Sequence, residues 1–216
     1  ALSSLTDISP LRLRTGRIAD HEWEKLDIKG IRTLESVNMF IDDTPALTIA
    51  QLKAKLLKLK KYALDMIVVD YLQLMRGTGN NREQEISSIS RGLKAIAKEM
   101  NVPVIALSQL NREAEGKRPI LSNLRESGAI EQEADIVIFL HRPEKYGQTE
   151  TNEGKSTKGL VELIIDKHRN GPTGFIECYI NEFCTRFADS PQELDINSAQ
   201  TTPPLNNYYE TNEPEF

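Results

Sequence analysis

The residues best suited to chemistry lie where predicted strands end. Four apolar residues, Met66 to Val69, lead directly into Asp70. An apolar run without alternation is typical of a strand buried on both faces of a parallel sheet, and ligands of such sheets bind at the carboxyl ends of the strands. A carboxylate there can hold the Mg²⁺ of a bound nucleotide. A strand that simply ends in a capping aspartate explains these residues equally well when they are taken alone.

A second apolar run ends in polar residues. Residues 104–109 read VIALSQ, so a predicted strand leads into Ser108 and Gln109. A glutamine at such a position can contact a γ-phosphate or the water that attacks it. The alternative is a polar strand end that solvates its own backbone.

A third candidate group precedes a turn. Lys167, His168 and Arg169 are followed by Asn-Gly-Pro, a sequence typical of turns. Because alternate side chains of a strand share one face, Lys167 and Arg169 can point the same way. A guanidinium at this place can neutralise charge on phosphoryl oxygens. The alternative is a β-hairpin whose basic residues lie in solvent, and His168 suits a structural contact better than a catalytic base.

These segments form an ordered set with LRLRTG (11–16) and FIDDTP (40–45) upstream and NLRESGAIEQEADIVIFLHR (123–142) between the second and the third. The set resembles the C-terminal motor domain of DnaB-type replicative helicases, which are RecA-like ATPases. Each motif alone is weak evidence for this family, but the ordered set is highly specific for it. The match extends from residue 11 to about residue 187. The resemblance implies an α/β fold with a RecA-like P-loop NTPase core, in which a mostly parallel sheet is flanked by helices and followed by a C-terminal antiparallel hairpin.

The resemblance also implies roles for individual residues. Asp70 would hold Mg²⁺, and Gln109 would sense the γ-phosphate of ATP. The basic group before the turn, Lys167, His168 and Arg169, would reach the nucleotide of a neighbouring subunit, with Arg169 acting catalytically.

A separate loop matches the part of the family that grips single-stranded DNA. Arg125 supplies charge, Glu126 is its neighbour, and Gly128 lets a phosphate approach a backbone amide closely. The alternative is a loop at a helix end with a local Arg–Glu pair. Gly77 and its neighbours, in RGTGNNRE (76–83), are a second candidate loop.

Two parts of the ATP site have no match in the sequence. The chain contains no G-x-x-x-x-G-K-[ST], the loop whose amides and lysine cradle phosphates. The family's catalytic glutamate also has no counterpart. The chain therefore resembles the rear portion of the motor domain, and we expect it to be inactive alone.

The expected function of the parent protein is ATP-dependent translocation on single-stranded DNA and unwinding at the replication fork. The resemblance implies a cytoplasmic homo-hexamer that uses ATP and Mg²⁺, with primase and a helicase loader as partners and no membrane association. Two alternatives stay open. The chain could be a catalytically incomplete module that binds DNA or a subunit, or it could belong to another RecA-like ATPase.

Composition is compatible with this expectation. The 216 residues carry a net charge of −5, which argues weakly against a broad basic face that binds nucleic acid. A ring around one DNA strand needs only a few positive groups.

We predict a partial motor domain at 1–190 and a disordered tail at 191–216, because polar residues and proline dominate the tail. Cys178 and Cys184 are expected to be reduced thiols, and a short loop disulfide between them is the alternative.

Periodicity predicts the supporting elements. The clearest is an amphipathic helix at 83–100, whose apolar stripe includes Ile86, Ile89 and Leu93 and should pack on the sheet. Thr48 is expected to cap a preceding helix. Further predictions are a helix at 20–36 and strands at 39–42, 103–107, 135–140, 159–166 and 174–180.

Overall fold

The computed structural model describes residues 1–183 and 185–194, with the side chains of residues 125–127 excepted. Short helices dominate the first third, and two long helices follow. The helices are α1 Leu2–Thr6, α2 Pro10–Thr15, α3 Asp20–Lys25, α4 Arg32–Glu35, α5 Ile49–Leu59, α6 Arg82–Met100 and α7 Gly128–Glu133, with a π-helical turn at Leu26–Ile31 that joins α3 to α4. Single 3₁₀ turns occur at Lys60–Tyr62, Leu72–Leu74, Arg112–Ala114, Pro143–Tyr146 and Pro191–Leu194, and a longer 3₁₀ segment, Leu121–Ser127, is kinked at Leu124.

The two long helices begin at side-chain caps. The amide of Gln51 donates to Thr48 Oγ1 at the start of α5, and the Gln51 side chain accepts from the Thr48 amide. At the start of α6, the amide of Gln84 donates to Asn81 Oδ1 over 2.9 Å. Such caps satisfy amides that have no partner within the helix. The predicted cap at Thr48 and the predicted helix at 83–100 are both confirmed.

The described strands form two sheets. Strand β1, Ile67–Val69, pairs in parallel with β2, Val104–Ala106. The second sheet is antiparallel, in the order β3-β4-β5-β6. Its strands are β3 Ile136–His141, β4 Leu160–His168, β5 Gly174–Ile180 and β6 Phe187–Ala188. The parallel pair and the hairpin of β4 and β5 agree with the sequence-based expectation, and β3 adds to that hairpin in antiparallel orientation.

Helix α6 packs on the parallel pair and forms the main core. Its stripe residues Ile86, Ile89 and Leu93 are buried in a cluster with Leu72 and Met75. One turn further along, Ile96 packs with Ile67 of β1 and Leu56 of α5. The predicted packing of this helix on the sheet is confirmed, and it fixes the strand ends that carry Asp70 and Gln109.

Burial of β1 and β2 on both faces was predicted and is wrong for the described residues. The face with Ile67 and Val104 contacts α5 and α6. On the opposite face Val68 and Ile105, which pair with each other, are 54% and 50% exposed. An apolar run therefore identified these strands correctly, but their second face has no covering element among residues 1–183 and 185–194.

The predicted strand at 39–42 is also wrong. Residues 38–44 have no regular structure, and Met39, Phe40 and Ile41 are exposed. Polar contacts to α5 hold this segment instead of strand pairing. Asp42 Oδ2 lies 2.7 Å from Lys55 Nζ, and the Thr44 amide donates to Asp42 Oδ1 over 3.0 Å.

Of the predicted tail, residues 191–194 form a 3₁₀ turn, and 195–216 lie outside the described residues. Cys184 also lies outside them, whereas Cys178 is a buried free thiol. Burial is the largest cause that raises the pKa of the Cys178 thiol, followed by the charge of Asp189. No helix in the described part of the chain is long and apolar enough to cross a membrane.

Candidate functional site: a strand-end cleft and a basic hairpin

The ends of β1 and β2 form an open cleft. Val69 is paired with Ala106, so Asp70 follows β1 at the same level as Leu107 follows β2. The cleft has a volume of about 360 Å³ and is lined by Asp70, Tyr71, Leu107, Ser108 and Gln109. The structure thus brings together the two strand-end residues that the sequence singled out. Both are exposed and accessible to a ligand.

Gln73 connects the two sides of this cleft, and sequence reasoning missed it. Its Nε2 donates to Ser108 Oγ over 3.0 Å and to the Gln109 carbonyl over 3.4 Å. Its own carbonyl accepts from Arg82 at the start of α6 over 2.5 Å. Gln73 therefore fixes the strand end of Gln109 relative to that of Asp70. The one signal in the sequence was its place in the apolar-polar run YLQL (71–74), which is too common to indicate a role.

The cleft can supply part of a Mg²⁺–nucleotide site. Carboxylate oxygen is a ligand that Mg²⁺ prefers, and in nucleotide sites one or two carboxylates suffice because phosphates and waters supply the rest. Asp70 fits this requirement. The described residues contain no group of three or more His, Cys, Asp or Glu side chains that could hold a metal by themselves. Asp70 could therefore supply one ligand to an ion whose other ligands are phosphate oxygens and waters.

The hairpin residues Lys167 and Arg169 reach the same carbonyl group. Lys167 Nζ donates to the Gln132 carbonyl over 3.4 Å and to the Glu131 carbonyl. Arg169 also donates to the Gln132 carbonyl, over 3.3 Å. These carbonyls end α7, where cations are favoured by the helix dipole. The two side chains share a face, as strand alternation indicates.

His168 contacts its own turn. Its Nδ1 lies 3.3 Å from the Pro172 carbonyl oxygen, and a Cβ at Gly171 would lie 2.3 Å from the His168 ring. The ring therefore packs against the turn, and a larger residue at position 171 would displace it. This contact agrees with a structural role, and a nucleotide contact by His168 stays a prediction.

The hairpin and the cleft are separate within one chain. None of the residues Lys167, His168 and Arg169 lines the cleft; the first two belong to β4 of the antiparallel sheet, and Arg169 follows them in the turn. The structure therefore joins Asp70 with Gln109 but does not join either with Arg169.

Asp135 is a second residue that sequence reasoning missed. It lies between α7 and β3, and its Oδ1 is 3.2 Å from Arg169 Nη1. A hydrogen bond from Lys94 is the largest cause that lowers the pKa of Asp135, and the charges of Lys94, Arg169 and Lys167 lower it further. The pairing of Ile136 with His168 places Asp135 opposite Arg169. Only knowledge of the antiparallel β3–β4 pairing could have revealed this contact.

The candidate DNA loop is partly described. The side chains of Arg125 and Glu126 lie outside the described residues, so their predicted roles stay predictions. Gly128 begins α7, and a Cβ there would meet no atom of the described residues within 4 Å. At Gly77 a Cβ would lie 2.3 Å from the Glu85 carbonyl oxygen. Packing therefore explains Gly77, whereas packing does not explain Gly128.

Known proteins resemble this chain along nearly its whole described length. A family model for the DnaB-like helicase C terminal domain matches residues 1–189. The replicative DNA helicase DnaB of Geobacillus stearothermophilus is 44% identical over 197 residues, which cover 88% of this chain and 42% of the relative. A probable replicative DNA helicase of Trieres chinensis is 46% identical over 196 residues, which cover 87% of this chain and 42% of the relative. The chain thus spans less than half the length of these relatives.

Solved structures agree with these matches. One of them, the structure of an ATPase domain, superposes with a TM-score of 0.78 at 34% identity, covering 88% of this chain and 68% of that one. A DnaB-like replicative helicase, studied with its interactions with primase, superposes with a TM-score of 0.76 at 35% identity, covering 86% of this chain and 46% of that one.

Proposed function

Since this chain belongs to the family of DnaB-like helicase C-terminal domains, we propose that it is the rear portion of an ATP-driven motor that translocates on single-stranded DNA and unwinds duplex at the replication fork. Membership confirms the resemblance seen in the sequence, and the RecA-like α/β fold is confirmed by the solved structures that superpose on it. The observation that carries the proposal is the joining of Asp70 and Gln109 in one strand-end cleft.

In this proposal the cleft receives the phosphates of ATP. Asp70 would hold Mg²⁺ directly or through water, and Gln109 would contact the γ-phosphate or the attacking water. Bound Mg²⁺ would neutralise charge on the phosphoryl oxygens. Gln73 keeps the Gln109 strand end in place through the contacts at 3.0 and 3.4 Å. The 216 residues contain no match to the phosphate-cradling loop or to the catalytic glutamate, so the proposed ATP site needs both groups in addition to Asp70 and Gln109.

The hairpin would act on the nucleotide of the next subunit. Lys167 and Arg169 lie outside the cleft of their own chain, which supports a ring in which ATP binds between subunits. A ring hexamer with single-stranded DNA in its centre accounts for this arrangement, and Arg125, Glu126 and Gly128 would contact the DNA backbone there. Primase and a helicase loader would be partners, and the protein would work in the cytoplasm.

A mixing experiment tests the trans arrangement. In full-length protein, Arg169→Ala should lower ATP turnover by about 10³-fold or more, the range of arginine fingers, and change nucleotide affinity much less. Subunits carrying Arg169→Ala would be mixed with subunits that lack the lysine of the phosphate-binding loop. Some interfaces then pair an intact nucleotide pocket with an intact Arg169, so some hydrolysis should return. If mixed rings form and no ratio restores activity, Arg169 does not act in trans.

The second candidate function is a catalytically incomplete module that binds DNA or a subunit. The observation that favours it is that the phosphate-binding motif G-x-x-x-x-G-K-[ST] does not occur in these 216 residues. For the isolated chain both candidates predict weak ATP binding and no hydrolysis, since Asp70 and Gln109 do not suffice for electrostatic positioning. Asp70→Asn in the full-length protein distinguishes them. Loss of Mg²⁺-dependent turnover supports the motor, and unchanged turnover supports the module.

A further inference from the structure

Arg169 is held by three contacts on one side. Its amide donates to the Asp135 carbonyl over 2.8 Å. Its Nη1 lies 3.2 Å from Asp135 Oδ1, and its Nη2 donates to the Gln132 carbonyl over 3.3 Å. Backbone and guanidinium are therefore fixed to the same short segment, the junction between α7 and β3.

Asp135 is itself fixed from another element. Lys94 of α6 donates a hydrogen bond to Asp135 Oδ2, and the Lys94 side chain is only 20% exposed. Oδ2 of Asp135 thus accepts from Lys94 of α6, and Oδ1 forms the ion pair with Arg169 of the hairpin. A chain of charges, Lys94–Asp135–Arg169, connects the helix that supports the cleft with the side chain proposed to act on the next subunit.

The geometry leaves the guanidinium able to bind a phosphate. A guanidinium has five N–H donors in a rigid plane. Nη1 forms an ion pair with Asp135, one N–H on Nη2 donates to the Gln132 carbonyl, and about half of the Arg169 side chain is exposed. Because the guanidinium is planar and rigid, these two contacts also fix the orientation of its remaining donors, which reduces the entropy lost when a phosphate is bound.

We propose that Asp135 is a positioning residue for Arg169, and that Lys94 anchors Asp135. This inference rests on the proposed role of Arg169 at the neighbouring nucleotide. Asp135 does not touch the nucleotide; it selects the guanidinium orientation in which the outward donors meet the phosphoryl oxygens. An isolated exposed ion pair would contribute little, but here one carboxylate joins three elements and is accompanied by two contacts to main-chain carbonyls.

The test is Asp135→Asn in the full-length protein, with kcat and KM for ATP measured separately. Asparagine keeps the size of the side chain and removes its charge. We expect kcat to fall about tenfold, which corresponds to about 1.4 kcal/mol of transition-state stabilisation, while KM changes less than twofold. Asp135→Glu should restore part of kcat. An unchanged kcat in a folded hexamer overturns the proposal, as does an increased kcat, which would mean that Asp135 restrains Arg169.

A matched control is Glu99→Gln. Glu99 forms an ion pair of 2.7 Å with Lys53 and is 48% exposed, close to the 52% of Asp135. Its loss removes a comparable pair from α6 without touching Arg169, so kcat should stay within twofold of wild type. If Glu99→Gln lowers kcat as much as Asp135→Asn does, the effect is a general one of surface charge and the positioning role is wrong.

A double-mutant cycle separates failure of this proposal from failure of the proposed function. In an Arg169→Ala background, Asp135→Asn should cause no further loss of kcat, because its effect passes through Arg169. If Arg169→Ala alone leaves turnover intact, the proposed function of Arg169 fails. If Arg169→Ala abolishes turnover, but Asp135→Asn in the otherwise wild-type protein leaves kcat unchanged, only the positioning role fails. Should Asp135→Asn not fold, Lys94→Met tests the same chain of charges and should lower kcat in the same direction.

Discussion

Replacing Gly128 with alanine separates a contact with DNA from a role in folding. Within the part of the chain that the structure describes, a Cβ at Gly128 would meet no atom within 4 Å, and the φ of −50° and ψ of −26° of Gly128 suit any residue. Alanine loses less conformational freedom than glycine on folding. We therefore expect Gly128→Ala to raise the free energy of unfolding by about 0.4–1 kcal/mol, seen as a higher urea midpoint with an unchanged slope.

In the full-length protein the same substitution should weaken binding of single-stranded DNA. A methyl group at this position keeps a phosphate oxygen away from the neighbouring backbone amide. Loss of one hydrogen bond costs about 0.5–1.5 kcal/mol, which is about a two- to tenfold loss of affinity. Fluorescence anisotropy with labelled oligonucleotides measures it, and the loss should be equal for different base compositions because backbone contacts carry no sequence information.

Gly77→Ala is the matched control. A Cβ at Gly77 would lie 2.3 Å from the Glu85 carbonyl oxygen and 2.7 Å from Ser88 Oγ, so this glycine is required by packing against α6. Gly77→Ala should lower the free energy of unfolding by about 1–3 kcal/mol. A lowered urea midpoint for Gly128→Ala, or full DNA affinity in that variant, would refute the proposed backbone contact.

Single residues elsewhere in the chain give four further predictions. Arg125→Ala in the full-length protein should weaken DNA binding equally for all sequences and reduce the salt slope by roughly 0.7; an unchanged slope argues against a phosphate contact. Hydrogen bonds from Lys55 and Thr44 lower the pKa of Asp42 to about 2, so Lys55→Met should raise that pKa toward 3.8 in an NMR titration of the carboxyl group. Burial lowers the pKa of His141 below 6.5, so between that lowered value and 6.5 the unfolded chain binds more protons than the folded chain. The free energy of unfolding should therefore fall as the pH drops through this window, and His141→Gln should make it depend less on pH. Ile89→Ala, at a fully buried position of α6, should cost about 2–5 kcal/mol in urea unfolding.

Local sequence patterns identified the elements that carry the candidate site. Apolar runs located β1 and β2, and a 3.6-residue period located α6, because these patterns reflect which face of an element must be buried. Residues at the ends of those strands, Asp70 and Gln109, could therefore be placed at one edge from the sequence. The extended segment at 39–42 shows the limit of such patterns, since a short apolar run forms a strand only if a partner lies beside it.

Tertiary structure decided the contacts between elements distant in the sequence. Gln73 meets Ser108 across 35 positions, and Asp135 meets Arg169 only because β3 and β4 pair antiparallel. It also decided that Val68 and Ile105 have an open face, although their sequence is that of strands buried on both sides. The physical reason is that hydrophobic periodicity records which side chains avoid water, whereas strand order and orientation depend on long-range packing that no local window contains. The sequence by itself determined the chemical groups and their elements, and the fold determined which of those groups meet.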